Sequence, residues 1–249
     1  MKRFGFTIIC CVAITLAATF PLAAQTTSSS TKGTTASSGS SSGEQTIEEL
    51  YLKNVAMRIL REQATELDRD SKLLALTSIQ EMINNKTLAK DSPVAMDILG
   101  YLAFEGTQHE VTSQNRQINN FPEVRRRACE LLGQIGGQQA DKILLQVMLE
   151  DNEPMVLSQA AYALGEIGLN PDSAVSSRIA AVVMRDTIVK PDNNFAFASL
   201  LAFEKLAKRN SGLNDPLAFQ AIVQISQGNY IRDVKLKALQ VLDELKQYG

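Results

Sequence analysis

The residues able to do chemistry are few and far apart. The 249-residue chain has one histidine, His109, followed by Glu110, and three cysteines, Cys10, Cys11 and Cys129. A nucleophile and its activating base must lie within hydrogen-bond reach, and no spacing here points His109 at Cys129 or at a particular serine. A zinc site built from His and Cys needs more ligands than His109 and Cys129 supply. Neither GxGxxG nor GxxxxGK followed by Ser or Thr occurs, so no phosphate-cradling loop is expected. Cys129, among Ala128, Leu131 and Leu132, reads as a small buried hydrophobe rather than a reactive thiol. His109 reads as an ordinary loop residue. No catalytic residue, metal ligand, cofactor or small-molecule substrate is expected, and the chain is read as a non-enzyme.

The start of the chain reads as an export signal. Lys2 and Arg3 precede an apolar run from Phe4 to Phe20, and Pro21-Leu22-Ala23-Ala24 follows, which places cleavage after Ala24. Residues 4–24 are also just long enough to cross a bilayer, so an uncleaved anchor is a second reading, and a membrane is a partner only in that case. Cys10 follows Ile9 in mid-run, unlike a lipid-bearing cysteine at the end of an apolar segment. Residues 25–46 are dominated by Ser, Thr and Gly and read as a disordered linker. Periplasmic or cell-envelope localisation is expected, with secretion as the alternative. After cleavage Cys129 is the one cysteine left, so no intrachain disulfide can form and the core alone must stabilise the fold.

Hydrophobic residues make up 45% of the chain and aromatics 6%, with no Trp, a balance that suits helices packed on small side chains. Without Lys2 and Arg3, 23 basic residues face 27 acidic ones, so the mature chain is mildly acidic and no nucleic-acid partner is expected.

The elements show as a repeat over residues 47–249. Val124, Ala128, Leu132 and Ile135 recur 32 residues on as Val156, Ala160, Leu164 and Ile167. The same apolar positions (0, +4, +8 and +11) return as Phe195, Ser199, Phe203 and Leu206, then as Val234, Ala238, Leu242 and Leu245. That spacing is one stripe of an α-helix. A weaker copy is Ser71, Ala75, Ile79 and Met82, and further amphipathic helices lie between these. Five pairs are predicted: 47–67 with 71–84, 92–104 with 122–136, 138–150 with 154–168, 172–187 with 193–209, and 215–227 with 231–247. Residues 105–121 form a polar insertion in the second pair. Pro93, Pro122, Pro154, Pro171, Pro191 and Pro216 all fall at predicted helix starts, where a missing N–H costs nothing. Ser92, Asn170 and Asp215 are the expected N-caps. Gly133, Gly136, Gly137, Gly165 and Gly168 are expected at helix ends.

VRRRACELLGQIGG and VLSQAAYALGEIG resemble the second helices of HEAT repeats, particularly the short bacterial kind related to phycobilisome-lyase repeats. The resemblance implies an all-α solenoid of about five antiparallel helix pairs, with the second helices lining a concave side, and it implies a protein partner. HEAT-like hydroxylases hold iron with several His-Glu pairs, whereas this chain has one. HEAT-like glycosylases bind DNA, which the acidic balance and the export signal oppose. An extracytoplasmic interaction scaffold is the first functional reading, and an accessory or lyase-type subunit of an enzyme system is the second.

With 0, +4, +8 and +11 turned inwards, positions +2, +3, +6 and +10 should face outwards. They place Arg126 and Arg127, then Tyr162, then Phe197 and Leu201, then Leu236 and Lys237 on one face. Tyr162, Phe197, Leu201 and Leu236 would form an apolar strip edged by the three cations, a candidate protein-binding surface. The other reading is that curvature or a slipped register buries the fourth second helix. Arg125-Arg126-Arg127 at a helix start reads as a solvated face, with Arg125 paired to a carboxylate of the next repeat such as Asp151 or Glu153. Phosphate is disfavoured there, because cations sit poorly at the positive end of a helix.

Overall fold

The computed structural model describes residues 46–88 and 92–248. Residues 1–45, which include the expected export signal and most of the expected linker, lie outside the described residues. Ten α-helices follow one another as α1 (Ile47–Thr65), α2 (Arg69–Asn84), α3 (Pro93–Ala103), α4 (Pro122–Ile135), α5 (Gly137–Glu150), α6 (Pro154–Ile167), α7 (Ala174–Val189), α8 (Asn193–Arg209), α9 (Pro216–Gln227) and α10 (Arg232–Leu245). Consecutive helices pair, the even helices lie side by side in one layer, and the odd helices form the other. The fold is an all-α solenoid of five helix pairs. Among the described residues no helix is long and apolar enough to cross a membrane.

Local chemistry sets the helix ends. Pro93, Pro122, Pro154 and Pro216 open α3, α4, α6 and α9, where the ring's fixed φ already suits a helix. Pro171 opens a short 3-10 turn ahead of α7, and Pro191 lies just outside α8, before its N-cap Asp192. Asp68, Asp192 and Asp215 accept hydrogen bonds from the N–H groups of Ser71, Phe195 and Leu217, satisfying donors that the first helical turn leaves free. Ser92 makes no such bond. Asn170 instead receives the N–H groups of Val175 and Ser176 across the 3-10 turn, at 3.1 Å each. The corner between α4 and α5 has no room for a loop. Gly136 and Gly137 take φ of +71° and +87° in succession, which glycine alone does without strain.

Most stripe positions are buried as expected, while Ile135, Ile167 and Leu242 at helix ends, and Ser71 and Met82 in the weaker copy, are half-buried. Val124, Ala128, Leu132, Val156, Ala160, Leu164, Phe195, Phe203, Val234 and Ala238 are core residues. Ser199 holds its stripe position by donating its hydroxyl to the Phe195 carbonyl at 2.8 Å. Positions +1 and +7 are buried too, because each inner helix is flanked on both sides by neighbouring second helices.

Gly133 and Gly165 do not end helices; both lie inside them. A Cβ at Gly133 would stand 2.7 Å from the Ala163 Cβ, and one at Gly165 would stand 2.7 Å from the Ala202 Cα. Their role is close approach of α4 to α6 and of α6 to α8.

The polar insertion over residues 105–121 folds as a tethered hairpin. Thr112–Ser113 pairs antiparallel with Arg116–Gln117, and Gln114 and Asn115 both take positive φ, as a twisted two-residue hairpin turn demands. Beneath it, Lys72 and Glu105 are each 1% exposed and lie 3.0 Å apart. Lys72 also donates to the Ala64 carbonyl at 2.8 Å. Asn119 donates to Glu105 Oε1 at 2.8 Å and accepts from the Val111 N–H at 2.8 Å. Arg125 meets Asp151 Oδ2 at 2.6 Å, the Glu105 carbonyl at 3.0 Å and Asn120 Oδ1 at 2.9 Å. The expected Arg125–Asp151 pair is therefore present, and it is buried rather than solvated. Burying charges is tolerated when each is paired and its remaining bonds are made, and this chain of contacts ties α2, the hairpin, α4 and the α5–α6 turn together.

Candidate binding face

No outward position of the second helices from α4 to α10 is buried. Tyr162, Phe197 and Leu236 are 38%, 39% and 46% exposed, while Leu201 is half-buried. The apolar residues of α8 divide in two: Phe195, Leu200, Phe203 and Leu206 enter the core and Phe197 stays out.

The edging cations are already engaged. Arg126 and Arg127 share the Glu130 carboxylate, at 3.5 and 2.8 Å. Lys237 reaches across to Glu204, which also takes Lys208. Lys208 lies 3.5 Å from Glu244 as well. The face is thus closely charge-balanced, with apolar side chains among neutralised pairs.

A contact that the stripe pattern did not predict sits at the centre. The Lys205 ammonium lies 3.7 Å over the ring centroid of Tyr162, a cation–π contact, and also bonds Glu166. The hydrogen bond from Lys205 holds the Glu166 carboxyl below its ordinary range. Both Glu166 and Lys205 occupy the +10 position of their helices, so complementary charges at one repeat position were the available signal. Beside them is a hollow of about 600 Å³, walled by Arg126, Glu130 and Gln134 on α4 and by Gln159, Tyr162 and Glu166 on α6. Its floor is Gly133 and Ala163. Small residues that let two helices touch leave nothing to fill the space above the contact.

Neither Cys129 nor His109 opens onto this face. Cys129 is fully buried, and burial pushes its thiol well above the ordinary range, which leaves it unreactive. His109 stacks on Tyr101 at the hairpin, with ring centroids 4.6 Å apart. Among the described residues no group of three or more His, Cys, Asp or Glu could hold a metal ion.

The family of HEAT repeats matches residues 116–187. The matched stretch runs from the second hairpin strand through α4, α5 and α6 into α7, and so includes the hollow and the first Gly–Ala contact. No curated protein matches the chain.

Proposed function

We propose that the chain is an exported protein–protein interaction scaffold without catalysis, built on HEAT-like repeats of the short bacterial kind. Its partner lies across the outward face of the second helices, over Tyr162, Phe197, Leu201 and Leu236, with Arg126, Arg127 and Lys237 at its edges. One observation carries this reading: three large side chains from three successive repeats, Tyr162, Phe197 and Leu236, stand more than a third exposed on one face. The core is already filled by the stripe residues of the same helices, so packing does not require that exposure, and exposed apolar patches mark interaction sites. HEAT repeats commonly mediate protein–protein interaction, which supports the same reading. The export part rests on Lys2, Arg3, the apolar run to Phe20 and the small residues at Ala23 and Ala24, and it places the scaffold in the periplasm or cell envelope.

The test is capture of partners from native envelope extract by the mature chain, beside Phe197→Glu and Tyr162→Ala. Phe197→Glu is at an exposed site and should change stability by no more than about 0.5 kcal/mol, while Tyr162→Ala also loses the Lys205 cation–π contact, worth about 0.5–1 kcal/mol. Partner recovery should fall at least tenfold in a variant that melts like the parent. Undiminished recovery would remove this face from the interface. The intact mass of the native protein decides export separately, since cleavage after Ala24 leaves Gln25 as the first residue.

A further inference from the structure

Away from the outward face, at the edge of the solenoid where one helix pair leads to the next, lies a cavity of about 420 Å³. It is lined by the first turns of α5 (Gln138, Asp141, Lys142), the α6–α7 connection (Leu169, Asn170, Pro171) and Asn210 after α8. Asp141 is 6% exposed. Its Oδ1 is buried without a hydrogen-bond partner, and no ion pair to it exists among the described residues. A buried carboxylate oxygen without a donor is costly enough to call for an explanation, a bound ion or group among them. Lys142 is next in the chain, but adjacent helical residues do not face each other, and its side chain is exposed.

The other lining groups say what kind of donor fits. Asn170 accepts from Val175 and Ser176 and donates one N–H to the Ser176 hydroxyl. Asn210 donates to the Gly168 carbonyl at 3.1 Å and the Leu206 carbonyl at 2.7 Å. Its own oxygen has no donor, which makes it a second free acceptor. Leu169 and Pro171 supply apolar wall. The nearby ends of α6 and α8 are helix C-termini, the negative ends of their dipoles, and favour a cation. An anion would meet the Asp141 carboxylate, even with the α5 N-terminus and Lys142 beside it, and a hard divalent ion would find a single carboxylate where it needs several oxygen ligands.

We propose that this cavity binds an alkylammonium or alkylguanidinium group, its charged head on Asp141 and its aliphatic stem along Leu169 and Pro171. The inference is independent of the outward-face reading. Two sources share this chemistry, a lysine or arginine side chain of a bound peptide and a small free amine.

The experiment titrates the full chain, wild type and Asp141→Asn, with n-butylguanidinium, putrescine, and the N-acetyl, N-methylamide derivatives of lysine, arginine and norleucine. The readout is the amide chemical shifts of Gln138, Leu169, Asn170 and Asn210. Saturable binding of the cations is expected, at least tenfold weaker in Asp141→Asn and absent for the isosteric norleucine compound. Burial raises the Asp141 carboxyl to about 6, so binding should weaken as the pH falls through that value. The charged groups near it are Lys142 on α5, Asp172 beyond Pro171 and Arg209 at the end of α8. Stronger binding of the lysine or arginine compound would assign the site to a peptide side chain; stronger binding of putrescine would assign it to a free amine. Equal binding of norleucine, or no shift of these amides in folded wild type, overturns the proposal and leaves Asp141 a hydrated structural carboxylate. Phe197→Glu should titrate like wild type, so loss of partner capture and loss of cation binding are read separately.

Discussion

The inner and outer seams of the second-helix layer solve one problem in opposite ways. Between α4 and α6, and again between α6 and α8, position +9 of one helix is glycine and position +7 of the next is alanine, as Gly133 with Ala163 and Gly165 with Ala202. At the outer seams the same positions hold Gln80 and Leu131, then Glu204 and Val241. Those seams rely on side-chain bonds at their surface, Gln80 with Gln134 at 2.7 and 3.2 Å and Glu204 with Lys237, of the kind that Glu166 and Lys205 only add above the α6–α8 backbone contact. Helix α8 also packs less extensively on α10 than on α6. Backbone contact excludes water and gathers dispersion over many atoms, whereas exposed polar pairs each contribute little. In a solenoid each repeat leans only on its neighbours, so the centre should be stiff and the ends should open first. Amide exchange should accordingly be slowest in α4, α6 and α8 and faster in α2 and α10.

The most damaging change to the inner region is Arg125→Ala. It leaves Asp151 buried without its cation and removes the donor to the Glu105 carbonyl and Asn120. Removing one partner of a buried pair costs about 3–5 kcal/mol, read as a lowered denaturant midpoint. Arg125→Lys should recover only part of the loss, because an ammonium cannot reproduce the planar fork. A loss below about 1 kcal/mol for Arg125→Ala would mean the buried chain of contacts contributes little to holding α4 against the α5–α6 turn.

Gly165→Ala comes next and tests the seam directly. Alanine improves helix propensity by about 1 kcal/mol, yet its Cβ would stand 2.7 Å from backbone, the Ala202 Cα. Overpacking costs about 1–3 kcal/mol, and because backbone cannot swing aside the upper part of that range should apply, for a net loss of about 1–2 kcal/mol. A stabilised Gly165→Ala would show that α6 and α8 have slack between them and would dissolve the contrast with the outer seams.

Much of this was legible in the residues. The 0, +4, +8, +11 stripe and the prolines located ten helices to within a few residues, since both signals are local and strong. Arg125 reads as paired with a carboxylate of the next repeat, Asp151 or Glu153, because both stand one repeat on, and Asp151 is the one it meets. Other features depend on groups distant in sequence. Lys72 reads as a surface lysine on an amphipathic helix, and only the Ala64 carbonyl and a glutamate from the hairpin allow its burial. Gly133 and Gly165 read as helix terminators because each stands three residues before a glycine at a true helix end; their close approach shows only once the neighbouring alanine is in place. The hairpin turn is Gln114-Asn115 rather than an Asn-Gly pair, so the usual signal was absent. The binding face was legible as a set of outward positions, but Lys205 over Tyr162 was not, because a stripe pattern says which way a side chain points and not what it meets.

The smallest expected effect lies at the outer seam. Burial pushes the Glu204 carboxyl upward, but hydrogen bonds from Lys208 and Lys237 outweigh it and hold it below its ordinary range. A carboxyl depressed in the folded state stabilises above its unfolded pKa, and that contribution disappears as pH falls through the folded value. Glu204→Gln should therefore lose about 0.5 kcal/mol at neutral pH, and its difference from wild type should vanish on acidification below the normal carboxylate range. The Gly165–Ala202 contact has no titrating group of its own, and the Glu166–Lys205 pair above it is common to wild type and Gly165→Ala, so the Gly165→Ala difference should persist over the same span. A Gly165→Ala loss that faded together with the Glu204→Gln loss would show that one acid-sensitive opening governs both seams, and the inner helices would then be no more firmly held than the ends.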